Sequence, residues 1–137
     1  MSFREKSAWI TLVTVVACFG AYFGALVTGM VHRGFDAIHL LLLCVLALAM
    51  LQVALGLIAA RTTPKDGRAP HDEREILIQA RSHTVGYYLL IVLVLGSALS
   101  GHMGRDVVDL MNFALFDVVL AVAAVAVSQI VMFRRGA

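Results

Sequence analysis

Three carboxylates in the last third of the chain, Asp106, Asp109 and Asp117, are spaced so that a helix would carry them on one side. At 100° per residue they fall, with Phe113, within about 80° of one another. Asp117 is the only acid in the run 111–133, which is otherwise almost entirely hydrocarbon. Ten residues past Val107, it would stand about 15 Å down such a helix, close to the middle of a bilayer. An ionised carboxylate at that depth costs at least about 2.5–3.5 kcal/mol, so it must face other helices or water. Such a stripe can lead a cation from the outer mouth inward. Gln52 and Gln129, on two of the apolar runs, would extend it as the polar track a small oligomeric transporter or channel subunit needs. The plainer use of Gln52, Ser128 and Gln129 is bonding between helices, at about 0.6 kcal/mol each.

A second group stands at the same mouth. His32, Asp36, His39 and His102 combine imidazole with carboxylate, a set that can hold a transition metal, and Met103 adds a soft donor. Asp36 and His39 are three apart and share a helix face. His39 and His102 also form one candidate pair for a b-type haem. The two-level histidine ladder of dihaem membrane cytochromes is missing, since only His71 accompanies His83 toward the other side. As water-wetted interfacial groups these residues need no ligand, and the expectation is no bound cofactor. Cys18 and Cys44 fall in separate apolar runs. Counted along those runs their depths differ by roughly 8 Å, beyond disulfide reach, so both are expected to pack as small apolar side chains.

The elements that must position these groups follow from composition. Of 137 residues, 61% are hydrophobic and only 15% charged, with a mean hydropathy of +0.89. A soluble domain is about 45–50% apolar. A bilayer core about 30 Å thick takes roughly 20 helical residues. The apolar runs predict four spans, at about 8–31, 37–60, 72–100 and 107–133, the third being one helix that starts in the polar connection. Sustained apolar runs without alternation do not suit a barrel with a polar lumen. The first run is longer than the apolar region of a secretory signal, about 7–15 residues, and lacks a clear small-residue cleavage site. The expected fold is all-α: one integral-membrane domain over residues 1–137, a four-helix bundle of two helical hairpins.

Nine of the eleven basic residues lie at the two ends of the chain or in its middle connection. Basic flanks stay cytoplasmic, so both termini are expected inside, in a bacterial inner membrane. That basic rim suits anionic lipid headgroups. The net charge of +2 gives no reason to expect nucleic-acid binding. "HRGFD" and "GHMGRD" are short outer turns. The cytoplasmic connection, 61–71, carries Pro64, Gly67 and Pro70 and reads as a loop. Asp72 can then cap a helix with Glu75 completing the pair, leaving Ile76, Leu77 and Ala80 to pack inward and Arg74, Glu75 and Arg81 wet. Gly20 with Gly24, and Gly96 with Ser100, are small-residue pairs suited to close helix contacts, within the bundle or in a homo-oligomer.

"APHDEREILIQARSHTVGYYLL" resembles a class of small four-helix membrane proteins of bacteria and archaea, of unknown function, in which a run like "DERE" enters the third helix ahead of an aromatic pair such as "GYY". The resemblance covers residues 70–90 and the four-span layout. It implies no enzymatic activity, and some members of the class accompany small cytosolic DNA-binding regulators. The chain does not resemble small multidrug transporters, since residues 9–30 contain no acid. No pairing of nucleophile and base points to an enzyme. The expected role is that of a membrane partner or regulatory protein. It would dock a cytosolic protein through residues 61–83, with Asp72, Glu73, Arg74, Glu75 and Arg81 in contact. Transport along the acidic stripe, and metal or haem binding by the outer histidines, are the alternatives.

Overall fold

The computed structural model describes residues 3–32, 34–62 and 73–135, and every regular element among them is an α-helix. These are α1 (Phe3–Val27), α2 (Phe35–Thr62), α3 (Glu73–His102) and α4 (Val107–Arg135). Each is long and apolar enough to cross a membrane. All four begin with an acid in the first turn, at Glu5, Asp36, Glu73 with Glu75, and Asp109. Three end on bases, at Arg61, His102 and Arg134 with Arg135. Acids at the start and bases at the end oppose the helix dipole, so sequence charge and helix ends agree. Of the expected loop 61–71, Arg61 and Thr62 are instead the last residues of α2, and 63–71, like the capping residue Asp72, lie outside the described residues.

The chain divides into two compact units, Met1–Pro70 and His71–Ala137. In the first, α1 packs against α2; in the second, α3 packs against α4. The apolar run predicts a first span reaching residue 31, but α1 stops at Val27. Its end is a Schellman cap. Gly29 takes a left-handed φ of 71°, its amide donates to Leu26 O at 3.3 Å, and the Met30 amide donates to Ala25 O at 3.1 Å. These bonds satisfy carbonyls that another helical turn would have used, and glycine reaches that φ without a Cβ penalty. Apolar character alone could not reveal this stop. At the α3–α4 turn Gly104 also takes a left-handed φ, 83°, its amide donates to Gly101 O at 3.2 Å, and Asp106 O then accepts the Leu110 amide at 3.1 Å to open α4.

The first seam is formed by Ala8, Val15, Cys18, Phe19 and Tyr22 of α1 with Ala37, Cys44 and Ala59 of α2. The second joins Ile78, Ser82 and Gly86 of α3 to Asp117, Ala121, Ala126 and Ile130 of α4. Small and polar side chains dominate these seams. Large aliphatics such as Leu43, Leu46, Val92 and Leu95 are instead about two-thirds exposed. Apolar surface of this extent is what hydrocarbon solvates and water does not.

Candidate functional site

Asp117 lies in the α3–α4 seam with 5% of its surface exposed. Ser97 of α3 donates its hydroxyl to Asp117 Oδ2 at 2.6 Å. This is the short end of the range for such bonds. The geometry follows from helix direction. Side chains lean toward the N-terminus of their own helix. Asp117 therefore leans toward the α3–α4 turn, while Ser97, on the antiparallel partner, leans away from it. The two converge although Ser97 is five residues from the end of α3 and Asp117 ten from the start of α4. Ser97 is held in turn, since the Ser100 hydroxyl donates to its carbonyl at 2.7 Å.

The close approach that makes this seam possible is centred on Gly86. A Cβ there would collide with Val125 Cγ2 and lie 3.4 Å from Ala121 O. A second tight point is Gly101, where a Cβ would come within 3.3 Å of Leu110 Cδ1. The small-residue pairs singled out from sequence do not serve this purpose. At Gly20, Gly24 and Gly96 an added Cβ would meet nothing within 4 Å. Neither Gly86 nor Ser97 stood out in the sequence. The usable signal for Ser97 was the lean of side chains in an antiparallel pair, which points from Asp117 to a polar residue nearer the turn.

The acidic stripe grades from wet to dry: Asp106 is exposed, Asp109 half-buried and Asp117 buried. Between them Asn112 donates to Val108 O at 3.1 Å, within its own helix. Gln52 on α2 and Gln129 on α4 are both half-buried and belong to different units. Chemically, the arrangement is a polar descent ending at a carboxyl group clamped by a hydroxyl, able to hold a proton or tie two helices.

The outer histidines are placed differently. His39 Nδ1 bonds Phe35 O at 2.8 Å and His102 Nδ1 bonds Ala98 O at 3.2 Å. A carbonyl only accepts, so each ring spends its Nδ1–H on its own helix. Both rings are exposed, as are His32 and Asp36. His39 and His102 belong to different units. Among the described residues, no three His, Cys, Asp or Glu side chains stand close enough to hold a metal.

At the start of α3, Glu73, Arg74 and Arg81 are exposed and Glu75 is half-buried. Contrary to the expectation from the capping pattern, Ile76 and Leu77 do not pack inward: each is 48% exposed, and Ala80 is exposed as well. Ile78, at 3%, takes the inward position. The reason is phase. The α3 face toward α4 runs through Ile78, Ser82 and Gly86, four residues apart, and Ile76 and Leu77 point away from that line.

No family model, curated protein or solved structure matches this chain.

Proposed function

We propose that the chain is a non-enzymatic membrane partner protein of a bacterial inner membrane, whose two helix pairs form one four-helix bundle with both termini cytoplasmic. It docks a cytosolic protein through the region 61–83. The supporting observation is the exposure of Ile76 and Leu77 among Glu73, Arg74 and Arg81. α3 has 30 residues, about 45 Å of helix, and so exceeds a bilayer core of about 30 Å by roughly ten residues. Its first ten carry this mixed apolar and charged surface, the composition of an interface centre with a polar rim. A photoreactive residue at position 77 should cross-link a cytosolic protein in intact cells, and one at position 99 should not. Arg74→Glu with Arg81→Glu should abolish that cross-link while the protein stays monodisperse in detergent. Equal cross-linking at both positions, or indifference to charge reversal, would exclude a docking role.

The Asp117–Ser97 bond favours a second role, as a subunit that moves protons or cations along Asp106, Asp109 and Asp117. Liposomes carrying the protein and an internal pH-sensitive dye should then show a proton flux that Asp117→Asn removes. Flux unchanged by that substitution would discard Asp117 as the coupling group.

A further inference from the structure

Asp117 keeps restricted company. Among the described residues its one hydrogen bond is the 2.6 Å donation from Ser97 Oγ to Oδ2, and no ion pair reaches it. Within the second unit the charges that could answer it stand far off. On α3 no acid or base lies between His83 and His102, and on α4 only Asp117 lies between Asp109 and Arg134. Asp109 is eight residues toward the turn, about 12 Å, and of the same sign. The other titratable groups on that stretch of α3 are Tyr87 and Tyr88, both exposed and at least nine residues from Ser97. An ionised carboxylate without a cation is expensive in hydrocarbon, so the seam needs something to neutralise it.

The oxygen count decides which cation does so. A hard metal ion must exchange its water shell for about six or more oxygens. Here the second unit offers the two oxygens of Asp117 and the Ser97 hydroxyl. The Ser100 hydroxyl is occupied with the Ser97 carbonyl. Asn112, five residues back, stands about 140° round the helix from Asp117. Helix carbonyls are taken by the amides of their own helices. That is too few oxygens for a metal ion. A proton needs only one, and Oδ1 is left for it while Ser97 holds Oδ2.

We infer that Asp117 is a proton-binding site selective against metal cations, with Ser97 as the residue that positions its carboxyl group. This gives a ligand to the carboxyl of the second role above and rests on that role only in sharing the residue. A lipid-soluble carbodiimide reads out such a site. The carboxyl proton passes to one carbodiimide nitrogen while a carboxyl oxygen bonds the central carbon, giving an O-acylisourea. Ser97 Oγ is within reach of the acyl carbon, at about the 3–3.5 Å from which such a carbon is attacked. Its oxygen bonds that carbon, its proton goes to the departing group, and that group leaves as the urea. The balance is one ester joining Ser97 to Asp117 and one water transferred to the reagent, with no electron exchanged. Without the hydroxyl, the O-acylisourea rearranges to an N-acylurea that keeps the whole reagent.

Dicyclohexylcarbodiimide added to the whole protein in mild detergent is the probe, followed by peptide mass spectrometry. The peptides carrying Ser97 and Asp117 should emerge joined, lighter by one water than their sum. Lowering the pH should speed that joining, and sodium, potassium, calcium or magnesium chloride should leave its rate unchanged. Ser97→Ala should retain the full reagent on Asp117, and Asp117→Asn should show neither product. The inference is overturned by protection from any of the four metal ions, by a rate indifferent to pH, by an unmodified Asp117, or by wild-type protein that retains the reagent. All four are read on unaltered protein, so they hold whether or not a variant folds. The liposome measurement fails separately. Joining without proton flux discards transport and keeps the proton site, whereas flux removed by Asp117→Asn in a protein that the reagent never modifies keeps transport and discards the site.

Discussion

The bond between Ser97 and Asp117 joins α3 to α4 through a buried carboxylate. Interhelical hydrogen bonds in membranes average about 0.6 kcal/mol and reach about 1.7. Losing a donor to a buried carboxylate belongs at the upper end, since the acceptor stays behind without its partner. Ser97→Ala should therefore destabilise the protein by about 1–2 kcal/mol, measured by reversible unfolding in bicelles. Asp117→Asn keeps an acceptor oxygen for the Ser97 hydroxyl, so it should cost less than Ser97→Ala. If Asp117→Asn proved the more damaging, the carboxylate would be bonded to something other than Ser97. Asp117 was legible in the sequence because a lone acid in hydrocarbon admits few explanations. Ser97 was not, because a serine between Gly96 and Ala98 resembles any small helix-packing residue. Its partner is chosen by register across a turn.

At the scale of the element, four membrane-length helices were readable from apolar runs, with α2, α3 and α4 within about two residues of the expected bounds, but the end of α1 and the helix faces were not. The α1 stop depends on backbone dihedrals at Gly29, and the inward face of α3 depends on where α4 lies. Both are tertiary facts that hydropathy averages away. The same holds for glycines, where motif spacing pointed to Gly20, Gly24 and Gly96 and the crowded position is Gly86. Gly86→Ala should cost about 1–3 kcal/mol, the usual range for overpacking. Gly96→Ala, with open space around it, should be neutral or stabilising by up to about 1 kcal/mol through helix propensity. Val125→Ala should recover part of the Gly86→Ala loss, since its Cγ2 is the atom in the way. Thermal unfolding in mild detergent ranks all three, and equal effects at the two glycines would show that α3 and α4 do not approach at Gly86.

For the whole molecule, lipid contact is supported by the exposed aliphatics, whereas sidedness rests on the placement of basic residues. That can be measured cleanly because both native cysteines are buried. In intact cells, a membrane-impermeant maleimide should label Arg105→Cys and leave Thr62→Cys untouched until the membrane is opened. Reversed labelling would place the termini outside and remove the docking surface from the cytosol. The sequence spoke clearly about the solvent this chain requires and only faintly about its business there. Bilayer residence is set by bulk composition, but a binding role is set by a few contacts that no periodic pattern announces.

The left-handed glycine at position 29 also acts as a gauge. Replaced by alanine, it would let α1 wind on toward Val31, and four added residues are about 6 Å of helix. That length would come out of the short connection before α2 starts at Phe35. Helical signal in circular dichroism should rise slightly. A backbone angle at the rim thus sets how far the first helix runs.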